Sequence, residues 1–120
     1  MLVVTRFLKA ACHCVHHASY EWLLQRFTAV VMAIYTLLLA GVLLACRPSG
    51  YEAWQALFDA TWLKVATLLF LFSLYIHAWQ GVRDIIVDYI YPHAIGKVLN
   101  LAVTIALVAY AAWSVMILWK

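Results

Sequence analysis

The sequence predicts an all-α integral membrane protein with three transmembrane helices. Its 120 residues are 68% hydrophobic and 11% charged, where an ordinary soluble domain carries roughly 45–50% apolar and about 25% charged residues. A chain this short cannot hide so much apolar surface in a core of its own, so lipid or partner subunits must cover the excess. The charges are also clustered: residues 27–45, 65–82 and 98–119 contain no Asp, Glu, Lys or Arg. Each gap meets the roughly 17–25 residues that a helix needs to cross hydrocarbon.

The elements follow in order. Residues 1–26 read as a cytoplasmic tail leading into the first span, 27–45. That span begins too late and runs too long for the core of a removable signal peptide, so the N-terminus is expected to remain. Arg47-Pro48-Ser49-Gly50 then stops the helix, because Pro cannot continue it and Gly relieves the backbone at a turn. Residues 51–62 form a short amphipathic stretch whose Tyr51, Trp54, Phe58 and Trp62 suit the headgroup level. The second span, 65–82, leads to a loop at 83–97 that contains Pro92 and Gly96, and the third span occupies 98–119. Trp113, Trp119 and Lys120 close it with interfacial anchors. With no repeat, linker or low-complexity tract, residues 1–120 read as a single membrane-anchor domain.

Orientation follows from basic residues, which resist translocation. Arg6, Lys9, Arg26, Arg83 and Lys97 fall on one side and Arg47, Lys64 and Lys120 on the other, five against three. The N-terminus is therefore expected in the cytoplasm and the C-terminus in the periplasm. The tail lacks the Arg- and Ser-rich pattern of an import sequence, which points to a bacterial cytoplasmic (inner) membrane. Cys12-His13-Cys14-Val15-His16-His17 looks like a metal site only superficially. A closed zinc site draws ligand pairs together across an intervening loop, whereas this cluster is crowded into six residues, so it reads as a plain polar tail. Cys46 lies at the opposite end of the first span, and no disulfide to the tail is expected.

Apart from tyrosines, the ionisable side chain inside the spans is His77. An imidazole in lipid needs a partner. One reading is a hydrogen bond to a neighbouring helix; the other is axial ligation of a b-type haem, whose apolar macrocycle Leu, Phe and Ala would pack. The residues around His77 favour the second. At about 100° and 1.5 Å per residue, Ser73, His77, Gly81, Asp84 and Asp88 share one broad face if the helix continues past the membrane boundary. Gly81 lets a bulky group approach the backbone. From His77 to Asp88 is about 16 Å along the axis. Spacing alone favours an ordinary solvated helix end built from Arg83, Asp84 and Asp88.

The run Leu71-Phe72-Ser73-Leu74-Tyr75-Ile76-His77-Ala78-Trp79-Gln80-Gly81, followed by Asp88-Tyr89 and Pro92, closely resembles the small membrane-anchor subunit (the cytochrome b small subunit) of bacterial succinate dehydrogenase, respiratory complex II. Gln25-Arg26-Phe27-Thr28-Ala29-Val30-Val31 resembles the Arg-x-Thr-Ala start of that family's first helix, and Lys64-Val65-Ala66-Thr67-Leu68-Leu69 the start of its second. The resemblance runs from about Tyr20 to the C-terminus and leaves the Cys/His cluster outside it.

The resemblance implies specific roles. His77 would ligate haem b from one side, the second axial histidine coming from the larger anchor subunit with which this chain forms a heterodimeric bundle. Arg26 would pair with a haem propionate. Tyr89 would donate a hydrogen bond to a ubiquinone carbonyl, with Asp88 beside it. The implied machine is succinate:ubiquinone oxidoreductase, in which a flavoprotein subunit holds FAD and an iron–sulfur subunit holds the clusters. This chain has no dinucleotide fingerprint and no cysteine set for a cluster, so it would be an enzyme subunit without activity alone, bound to lipid and to no nucleic acid. Two other readings compete. A haem-free anchor of a related fumarate reductase shares the architecture, but His77 argues against it. A non-redox scaffold or small transporter is the other, and transporters usually need charged or broken helices at the midplane.

Overall fold

Pro48, Gly50 and Pro92 sit at joints, and the chain between them runs as helix. The computed structural model describes residues 1–12 and 19–120. Its elements are α1 (Leu2–Cys46), α2 (Tyr51–Asp59), α3 (Thr61–Tyr89) and α4 (His93–Leu118). α1 stops where Arg47 takes a left-handed conformation at φ 41°, its N–H reaching the Leu43 carbonyl at 2.9 Å. Gly50, at φ 84°, supplies a turn that side chains disfavour, and α2 starts from it. Extended backbone at Ala60 ends α2 and puts Trp62 on α3, so the interfacial segment is shorter than the aromatic pattern predicts. Trp54 and Phe58, one turn apart on α2, stack at 6.3 Å.

Among the described residues, three helical stretches are long and apolar enough to cross a membrane: Ser19–Cys46, Thr61–Tyr89 and His93–Leu118. They outrun the charge-free cores because Arg, Asp, Val and Tyr all continue a helix, and no Pro interrupts α3 until Pro92. The joint between α3 and α4 is thus Ile90, Tyr91 and Pro92, much shorter than the charge pattern predicts. At 29 residues, α3 is about 43 Å long against a hydrocarbon thickness of roughly 30 Å. The charged residues of α3 lie towards its ends, Lys64 near the start and Arg83, Asp84 and Asp88 in the last turns.

α3 packs against α1, α2 and α4, while α1 and α4 do not pack on each other among the described residues. The core is sparse: Leu63 is the one fully buried large side chain described, and on α4 the buried residue is Gly96. A Cβ at Gly96 would come within 3.3 Å of Ile86 Cγ2, so the missing side chain lets α4 close on α3. Hydroxyls hold the helices together. Thr67 donates to the Leu63 carbonyl at 2.7 Å and accepts from the Tyr35 hydroxyl at 2.7 Å. Ser114 donates to the Tyr110 carbonyl at 2.7 Å and lies 2.6 Å from the Tyr75 hydroxyl. Thr104 donates to the Asn100 carbonyl at 2.8 Å and accepts from the Trp79 indole N–H at 3.1 Å. Such interhelical bonds are worth about 0.6 kcal/mol each on average, with small residues permitting the approach that makes them.

Candidate functional site

Polar side chains gather where the first turns of the α1 span meet the later half of α3. Thr28, only 2% exposed, donates its hydroxyl to the carbonyls of Leu24 and Gln25 at 2.9 and 3.0 Å. The same oxygen lies 3.2 Å from Nδ1 of half-buried His77. The other ring nitrogen, Nε2, has no hydrogen-bond partner among the described residues. One turn further along α3, a Cβ added to Gly81 would meet nothing within 4 Å, so open space adjoins the backbone there.

Beside this pair lies a polar cleft of about 300 Å³ lined by Glu21, Trp22, Gln25, Gln80, Arg83 and Asp84. Arg83 Nη1 pairs with Glu21 Oε1 at 2.9 Å and its guanidinium sits 5.4 Å over the Trp79 ring. Gln80, 5% exposed, donates to the Glu21 carbonyl at 3.4 Å, while its Oε1 and that of Gln25 are buried and have no partner among the described residues. On the other flank of α3, Ile86, Val87, Ile90, Gly96 and Asn100 help line a second space of about 230 Å³.

The four residues singled out by the sequence fall in three places. His77 is tied to α1 through Thr28. Arg26 is exposed, its guanidinium 5.4 Å over the Trp22 ring, with no carboxylate partner among the described residues. Two positions separate it from Thr28, about 200° around α1, and no contact joins it to His77. Asp88 and Tyr89 stand on the last turn of α3, both exposed and without a side-chain hydrogen bond among the described residues. Because α3 is helical throughout, the axial distance of about 16 Å from His77 to Asp88 holds. Of the Cys/His cluster, Cys12 is exposed; positions 13, 14, 16 and 17 lie outside the described residues. Among those that are described, no group of three or more His, Cys, Asp or Glu could hold a metal ion.

Sequence reasoning missed Thr28, Gln25, Gln80 and the Glu21–Arg83 pair. Gln25 and Gln80 carried a usable signal, since an amide within or beside an apolar run needs partners. Thr28 carried a weaker one: it stands in the Arg-x-Thr-Ala match, but a threonine in a helix ordinarily satisfies itself on its own backbone, so nothing in the sequence aimed it at His77.

The family model described as succinate dehydrogenase/fumarate reductase transmembrane subunit matches residues 8–113, beginning upstream of Tyr20. A succinate dehydrogenase hydrophobic membrane anchor subunit from Coxiella burnetii (strain RSA 493 / Nine Mile phase I) is 36% identical over 99 residues, covering 82% of this chain and 86% of that protein.

Proposed function

The chain belongs to the succinate dehydrogenase/fumarate reductase transmembrane subunit family, and from this footing we propose that it is the haem-b-binding small anchor of a succinate:ubiquinone oxidoreductase. The observation that carries the haem assignment is His77, whose Nδ1 lies 3.2 Å from Thr28 Oγ1 while Nε2 has no partner among the described residues, with open space beside Gly81 one turn along α3. An axial iron ligand needs one ring nitrogen with a free lone pair and the other anchored. The residues present therefore fit the group.

Each residue has a separate task. His77 would hold the iron from this chain, and because no second histidine lies within the apolar cores, a further ligand would come from a larger anchor subunit. Haem b, when bound, supplies a one-electron carrier. Arg83 is neutralised by Glu21, whereas Arg26 keeps a guanidinium available for a propionate. Asp88 and Tyr89, beyond the hydrocarbon at the end of α3, contribute to the ubiquinone site: the Tyr89 O–H donates to a quinone carbonyl, and Asp88 tunes the local field. The flavoprotein and iron–sulfur subunits dock at that end, in the cytoplasm, which makes the membrane the bacterial inner one, with the N-terminus cytoplasmic and the C-terminus periplasmic.

Purification in mild detergent tests this reading. Three further chains and a b-type band in the reduced-minus-oxidised spectrum are expected; an intact four-chain complex without that band would make the chain a haem-free anchor instead. Arg26→Leu supplies a finer check. A nearby positive charge favours the electron-rich state, so its removal should lower the haem midpoint potential. The fall should be roughly 40 mV for each kcal/mol of differential stabilisation lost, at about 59 mV per tenfold for one electron. A redox titration with no shift, or a rise, would remove Arg26 from the site.

A further inference from the structure

We infer that Thr28 is a positioning residue that locks His77 in the tautomer with hydrogen on Nδ1 and a free lone pair on Nε2. The inference rests on the reading of His77 as a haem ligand and adds to it the group that selects which nitrogen ligates. A threonine hydroxyl has one proton, and the Leu24 and Gln25 carbonyls at 2.9 and 3.0 Å both attract it. Carbonyls accept only, so the proton stays on α1 and the Thr28 oxygen faces His77 as an acceptor. At 3.2 Å from that oxygen, Nδ1 must then be the protonated nitrogen.

The same device recurs where its polarity is unambiguous. Trp79 can only donate, and its N–H meets Thr104 Oγ1 at 3.1 Å while Thr104 donates to the Asn100 carbonyl at 2.8 Å. A hydroxyl bonded back to its own helix therefore serves this bundle as an acceptor between helices. Thr28 differs in consequence because its donor is an imidazole, whose second nitrogen changes character when the first is fixed. At 2% exposure Thr28 has no water to compete for the bond. Removing the hydroxyl would leave Nδ1–H without a partner, and the ring would gain by turning or changing tautomer.

The test uses the purified complex with histidine ring nitrogens labelled with nitrogen-15; haem retention is measured first and the tautomer is read after haem extraction, His77 being assigned by its loss in His77→Gln. Thr28→Val removes the hydroxyl and preserves the branched shape; Thr28→Ala serves if the valine variant does not assemble; Thr28→Ser retains the hydroxyl. The expected result is a single tautomer in wild type and Thr28→Ser, a mixture without the hydroxyl, and haem retention weakened on the order of 10–100-fold in parallel. Loss of haem from Thr28→Ser as well would assign the position to packing and overturn the inference. An unchanged tautomer in Thr28→Val, in the assembled complex after haem extraction so that no iron–Nε2 bond imposes it, would overturn the role of Thr28 alone. A wild-type complex without haem, with the tautomer still dependent on Thr28, would instead overturn the cofactor reading and with it the purpose assigned to the bond.

Discussion

His77→Ala should weaken or abolish the b-type spectrum while the three spans remain inserted. The insertion half follows from hydropathy: α3 keeps its apolar length, and replacing an imidazole with a methyl makes the span easier to bury. The cofactor half follows from the ligand count. The chain offers one histidine within its apolar cores, so if His77 holds the iron, alanine would leave it with a partner's ligand alone and haem content should fall by roughly tenfold or more. The competing role is purely structural, with His77 serving α1 through Thr28. That role predicts a loss near 0.6 kcal/mol and an intact spectrum. Imidazole added to the mutant separates the two further, because a small ligand can fill the vacated volume and restore iron coordination but cannot restore a tether to α3. A wild-type spectrum in the assembled mutant would remove His77 from the iron.

The hydrophobic runs made the three helices legible, because a stretch without Asp, Glu, Lys or Arg answers directly to the thickness of hydrocarbon. Helix ends were harder to read. Charge marks where a helix leaves lipid, whereas Pro and Gly mark where the backbone stops turning, and on α3 these are separated by the stretch from Arg83 to Tyr89. The same distinction explains Arg83. Taken alone it belongs to a solvated helix end, yet Glu21, 62 positions away on α1, holds it at 2.9 Å. Thr28 and His77 meet across 49 positions, and nothing local to either residue announces the other. His77 itself stood out as a lone imidazole in an apolar span, open either to a hydrogen bond with a neighbouring helix or to a ligand. Its partner became visible once α1 was packed on α3.

Tyr89→Phe should slow ubiquinone reduction while leaving the soluble chemistry untouched. Tyr89 is the last residue of α3, 81% exposed, and its hydroxyl has no partner among the described residues. A phenol presented in this way, beyond the apolar layer but on a rigid helix, can donate one hydrogen bond while its ring packs against an apolar quinone. Phenylalanine keeps the ring and deletes the donor alone. Losing one hydrogen bond that strengthens during reduction costs on the order of 1–3 kcal/mol, or roughly ten- to a hundredfold in rate. Electron transfer from succinate to an artificial acceptor at the flavoprotein should survive, since those electrons need not reach the membrane. The rival role is an interfacial anchor, for which Tyr91, 73% exposed two residues later, is the internal control. Tyr91→Phe should change neither assay, and an anchor role for Tyr89 predicts that Tyr89→Phe behaves the same way. Wild-type quinone reduction in an intact Tyr89→Phe complex would remove the tyrosine from the quinone site and leave Asp88, one residue earlier on the same turn, as the remaining polar candidate on α3.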